Sequence, residues 1–172
     1  MALGVGLIFV NIYLERHARR GAVKSLLVLS NLAIAEFHNA FLNLCWARFG
    51  RDEWGKIQEE YINAGGKPTS LRQDVRDFLY ETTKSNEELK AKLGKLLDTL
   101  TELARMVGWD LDARLLQACL DARIASGRLK DVKHDDSEDS KNSATEHLLD
   151  IDYHSGVARH LLMTIAGVSD DN

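Results

Sequence analysis

The chain contains few of the residues that break helices or cross-link a protein. Its 172 residues include one proline, Pro68, and two cysteines, Cys45 and Cys119. A β-rich fold needs frequent turn-forming residues, so the scarcity of proline argues against one. Both cysteines fall on apolar stripes at helical spacing. We therefore expect two reduced thiols in the core rather than a disulfide framework.

Common signatures of catalysis and metal binding are also missing. The sequence has no Glu-x-x-His, His-x-x-x-His or Cys-x-x-Cys spacing, which excludes the usual di-iron and helical zinc patterns. It has no Gly-x-Ser-x-Gly elbow for a serine hydrolase. Residues 50–56 match the start of a phosphate-binding loop, but Ile57 replaces the hydroxyl residue that would bind magnesium. We expect no cofactor and no metal, and the hypothesis leans away from an enzyme.

What the chain does have is a folded protein's composition with an uneven charge. Hydrophobic residues make up 45% and the net charge is −4, which fits a single domain with its own core. Residues 1–50 carry five basic and two acidic side chains, whereas residues 110–172 carry seven and thirteen. A basic front predicts an anionic partner for the first part of the chain, and the acidic total argues against nucleic acid.

The first segment is the most informative. Residues 2–14 are apolar except for Asn11, and a basic cluster follows at Arg16, Arg19, Arg20 and Lys24. A secretory signal peptide has the opposite order, whereas this order fits a single N-terminal anchor with a cytoplasmic body.

The length of this segment leaves three interpretations open. About fourteen helical residues rise only about 21 Å, less than the roughly 30 Å of a bilayer's hydrocarbon core. The segment is a short anchor whose true start lies upstream, a helix buried in a core or an oligomer interface, or a helix lying in the membrane interface.

Helical periodicity covers most of the rest, and the fold class is predicted to be all-α. We expect an irregular bundle of five to seven helices with a long N-terminal helix, for whose start a membrane anchor is one of the three interpretations above. Glycines and capping boxes set its predicted ends: helices over 22–49 (continuous with the first segment), 52–63, 70–84, 86–107, 110–126 and 143–166.

The helix over 86–107 has leucines at alternating steps of four and three. This coiled-coil-like stripe is widened by Leu97, Ala104 and Met106, where a zipper would have charged side chains. We therefore predict the central helix of a bundle rather than a dimerising zipper.

The sequence predicts a division of the chain into four segments. They are an apolar segment with its basic flank over 1–21, a helical bundle over 22–128, an acidic flexible linker over 129–143, and a C-terminal helix over 144–168 that packs on the bundle. The linker is predicted because residues 130–143 contain a single large apolar side chain, Val132.

One polar cluster is a weak candidate for a catalytic or metal site. His147, Asp150 and His154 share one face of the last predicted helix, where a metal or an acid–base pair could be held. A solvated polar face explains them more simply. His38 with Glu36 is a second weak candidate.

The leading hypothesis is a non-enzymatic, membrane-associated interaction, regulatory or scaffold protein on the cytoplasmic face of a membrane. Its expected partners are membrane lipid and a protein partner or a second copy, and nucleic acid is not expected because the basic residues lack interleaved aromatics. The alternatives are a soluble helical enzyme or effector with an unrecognised polar site, and a subunit of a larger helical assembly.

Overall fold

The computed structural model describes the backbone of residues 2–107 and 113–166, and the side chains at 25, 27–105 and 113–165. Within these ranges the chain is helical and has no strand, which confirms the all-α prediction. The described residues form six α-helices, which are α1 (Ala2–Phe49), α2 (Arg51–Asn63), α3 (Gln73–Ser85), α4 (Glu87–Val107), α5 (Ala113–Asp131) and α6 (Glu138–Ala166). The predicted helix ends at Gly108 and Asp110 lie outside the described residues.

The first helix is continuous, as predicted. It has 48 residues, a length of about 72 Å at 1.5 Å per residue. It contains no proline, and it ends where Gly50 adopts a positive φ of 84° that an L side chain rarely takes. Its described contacts with the core begin at Leu27. The apolar segment is therefore joined to the bundle without a break in the helix.

The turn between α2 and α3 is formed by two glycines and the only proline. Gly65 and Gly66 both lie in the left-handed region, with φ of 74° and 71°. Pro68 opens a single 3-10 turn, Pro68–Ser70, which leads into α3. The predicted stop after α2 is confirmed, because both glycines supply the backbone conformation that ends the helix.

Three helices begin elsewhere than the capping boxes predicted. The helix α3 begins at Gln73 and not at Ser70. The Asn86 side chain accepts a hydrogen bond from the Leu89 amide at 2.9 Å, so Asn86 rather than Ser85 caps α4. The Ser137 hydroxyl accepts one from the Ser140 amide at 3.2 Å. Therefore α6 begins at Glu138 and not at Ser143.

The segment predicted as a flexible linker, 129–143, is largely helical. α5 continues through Gly127 to Asp131, and only residues 132–137 separate it from α6. Leu129 and Val132 are buried. The Asp136 amide donates to the Tyr80 hydroxyl at 3.2 Å, and Asp136 forms a 3.0 Å ion pair with Lys84. Contacts with α3 order residues that local composition alone predicted to be mobile.

The core lies between α4, the antiparallel pair α5 and α6, and the second half of α1. The leucines of α4 are buried within this one chain, as predicted for a bundle helix: Leu89, Leu93, Leu96, Leu100 and Leu103. Cys45 and Cys119 are free and buried, as expected. Burial raises the pKa of the Cys119 thiol to about 12, so it stays protonated at neutral pH.

Candidate functional site

The structure does not bring the predicted trio on α6 to one point. His147 is buried, and its Nδ1 atom has no hydrogen-bond partner. His154 turns towards α5, where its Nδ1 lies 3.9 Å from Asp121 Oδ2. Asp150 lines a cavity on the α2 side. Among the described side chains, no group of three metal-ligating residues is close enough to hold an ion.

Asp150 is a half-buried carboxylate with an unusual environment. Its pKa is raised, mainly because burial penalises the charged form and then because Glu146 lies near; the charges of His154, His147 and Arg128 act the other way. It forms no hydrogen bond or ion pair with any described side chain. Of the three predicted site residues, Asp150 is the one that lines this cavity.

His38 and Glu36, the second weak candidate, each pair with a residue of another helix. Glu36 binds Lys95 of α4 at 2.7 Å. His38 instead places Nδ1 2.7 Å from Oδ1 of Asp152 on α6, and the Asp152 side chain is only 10% exposed. Sequence reasoning missed Asp152, although its position one turn after Leu148, on the buried stripe of α6, could have marked it.

Asp152 raises the pKa of His38. Its hydrogen bond is the largest cause, burial works against it, and the negative charge of Asp152 adds to the rise while Arg159 opposes it. A folded-state pKa above the unfolded value of 6.5 means that the charged pair stabilises the fold fully below that value. This stabilisation is lost as the pH rises through the folded pKa.

We expect the advantage of wild type over a His38→Gln variant to shrink as the pH rises above about 6.5. Glutamine keeps a donor towards Asp152 but does not titrate in this range. Urea unfolding midpoints of both proteins between pH 6 and 9 measure the difference. A difference that stays constant over this range contradicts the assigned role of His38.

A cavity of about 460 Å³ lies between α2, the glycine turn and α6. Its walls are mostly apolar and aromatic, and among the described residues Asp150 and Asp152 are its only carboxylates. The other described lining residues are Trp54, Ile57, Gln58, Tyr61, Ile62, Gly65, Gly66, Leu71, Leu149 and Tyr153. The pKa of Tyr61 is raised to about 12 by burial, then by Asp150 and Glu146. The cavity is thus an aromatic-lined recess that contains two carboxyl groups, one of them paired with His38.

A second feature lies on α1, just after the basic cluster. Val28, Leu29 and Leu32 are 65%, 56% and 50% exposed, on the side of the helix away from the core residues Ile34 and Phe37. The side chains of Arg16, Arg19, Arg20 and Lys24 lie outside the described residues. No helix in the described part of the chain is long and apolar enough to cross a membrane.

No protein-family model, curated protein or solved structure matches this chain. Its function is therefore inferred from its own residues and geometry.

Proposed function

We propose that this chain is a non-enzymatic, membrane-associated interaction or scaffold protein whose bundle lies on the cytoplasmic face. In this proposal residues 2–14 insert their apolar side chains into the bilayer. The basic cluster binds anionic headgroups, and the bundle is presented to a protein partner or a second copy.

The observation that supports this proposal is the continuity of α1. One uninterrupted helix carries residues 2–14, the basic cluster and the core residues from Leu27 to Phe49. A flexible joint would let the bundle tumble, whereas a continuous helix fixes its direction relative to the first segment. Residues 2–14 span roughly 20 Å as a helix, so in this proposal they enter the bilayer without crossing its hydrocarbon core of roughly 30 Å.

In this proposal the four basic residues provide the electrostatic attraction to anionic lipid. Each Lys or Arg near an anionic surface contributes about 1 kcal/mol, so four of them contribute up to about 4 kcal/mol. Attraction of this kind depends on the lipid charge and weakens with salt, because it falls off within a Debye length of about 8 Å at physiological ionic strength.

Vesicle sedimentation with the full chain tests the proposal. We expect binding to vesicles rich in phosphatidylserine and much weaker binding to pure phosphatidylcholine. A second protein lacks the charges of the basic cluster and carries Arg16→Gln, Arg19→Gln, Arg20→Gln and Lys24→Gln. Its binding to the phosphatidylserine vesicles should be weaker by at least about tenfold.

A matched control variant removes the same number of positive charges from exposed positions of the bundle. It carries Lys56→Gln, Lys67→Gln, Arg123→Gln and Lys133→Gln. This variant should bind the vesicles like wild type. Equal loss in both variants would mean that only net charge matters. No loss in the first variant, or equal binding to both lipids, would overturn the role of the basic cluster.

A further inference from the structure

We propose that the cavity between α2 and α6 is a binding site for a small organic cation, an ammonium group carried on a compact apolar body. No described residue of α1 lines this site, and the inference does not depend on the membrane proposal. Its recognition elements are one free carboxylate, aromatic walls and a recess of suitable size.

The charge of the cavity favours a cation. Among the described residues, no lysine, arginine or histidine lines it, whereas Asp150 and Asp152 both do. Asp152 already pairs with His38 at 2.7 Å. Asp150 has no such partner in the described part of the chain, and the cost of its burial is offset if a ligand brings a positive charge.

The aromatic walls favour an organic cation over a metal ion. Trp54, Tyr61 and Tyr153 line the same recess as Asp150. Aromatic faces attract ammonium groups through the ring quadrupole, and quaternary ammonium ions are bound by such aromatic walls. A divalent metal needs several oxygen or nitrogen ligands at once, and the described residues form no such group.

The walls are held in place by the fold. Trp54 is 1% exposed and packs edge-on against Phe41 with ring centroids 5.9 Å apart. Residues of α6 and the Gly65–Gly66 turn form other parts of the lining. A volume of about 460 Å³ lies in the range of small-molecule sites, roughly 300–1,000 Å³.

Choline and 3,3-dimethylbutan-1-ol form the probe pair, because they have nearly the same shape and differ in charge. The full chain is titrated with each by calorimetry and tryptophan fluorescence, with sodium chloride at matched ionic strength. We expect saturable binding of choline, at least about tenfold weaker binding of the neutral alcohol, and no saturable response to sodium chloride.

Asp150→Asn should weaken choline binding by about tenfold or more, because it removes the free negative charge with little change in shape. Asp139→Asn, at an exposed position near the start of α6, removes the same charge away from the cavity and should leave binding unchanged. Tyr61→Leu gives an independent test if the Asp150 variant is unstable, and it too should weaken binding.

The following results overturn the proposal. They are no saturable binding of choline to the folded wild-type chain, equal binding of the neutral alcohol, and unchanged choline binding by both Asp150→Asn and Tyr61→Leu. Equal weakening by the Asp139 variant would show a general charge effect and would also overturn it.

Discussion

Replacing Phe41 with alanine should lower the free energy of unfolding by about 3–5 kcal/mol. Phe41 is fully buried and joins α1 to α2 through its edge-to-face contact with Trp54 at 5.9 Å. Its ring also lies parallel to that of Phe37 at 6.3 Å. Natural domains are stable by only about 5–15 kcal/mol, so this loss takes a large part of the total.

The expected size follows from two contributions. Removing a buried ring loses its transfer free energy and leaves a void that surrounding side chains fill only in part. The aromatic contacts add about 0.5–1.5 kcal/mol beyond the area buried. Both contributions fall where α1 meets α2, so the cavity wall formed by Trp54 should loosen with the core.

Urea unfolding followed by circular dichroism measures this change. Leu29→Ala, at a residue 56% exposed on the same helix, is the matched control and should change stability by less than about 0.5 kcal/mol. A Phe41→Ala variant within about 1 kcal/mol of wild type would show that the described packing of α1 on α2 is wrong.

Local pattern was sufficient to predict the helices but not all of their ends. The leucine spacing of α4 predicted an inward-facing core helix, and Leu96, Leu100 and Leu103 are buried within the chain. The break at Gly50 and the stop at Gly65 were also predictable, because each rests on a backbone conformation that glycine takes at low cost. These features depend on neighbours within a few residues.

The segment 129–143 shows where local pattern fails. Its composition predicted a mobile linker, yet it is ordered by partners distant in sequence. Lys141 pairs with Asp77 at 2.7 Å, and Tyr80 accepts the Asp136 amide. Composition measures how much apolar surface a segment can bury, and it does not count the polar partners that another helix offers.

Of the three residues of α6 that the sequence suggested for a site, only Asp150 lines the cavity. Asp150 could be selected from its place on the last helix, but the cavity beside it exists only because α2 packs nearby. His147 and His154 share the register of Asp150, yet one is buried and the other faces Asp121. The His38–Asp152 pair joins positions 114 residues apart, which periodicity cannot connect.

The His38–Asp152 pair leads to the second large expected effect. Replacing His38 alone should lower the free energy of unfolding more than replacing both residues of the pair. His38→Leu leaves the buried Asp152 carboxylate without its hydrogen-bond partner, at a cost of about 1–3 kcal/mol. His38→Leu combined with Asp152→Leu removes the unpaired carboxylate as well. A buried ion pair replaced by apolar groups is often close to neutral in stability, so the double variant should regain most of the loss.

Unfolding free energies of wild type, His38→Leu, Asp152→Leu and the double variant form a thermodynamic cycle. Because Asp152 lies 2.7 Å from His38 and is 10% exposed, we expect a coupling energy of about 1 kcal/mol or more at pH 6. Glu36→Leu paired with Lys95→Leu is the matched surface cycle, since those side chains are 36% and 56% exposed. Its coupling should stay below about 0.5 kcal/mol. Equal coupling in both cycles would mean that burial of Asp152 adds nothing to its contact with His38.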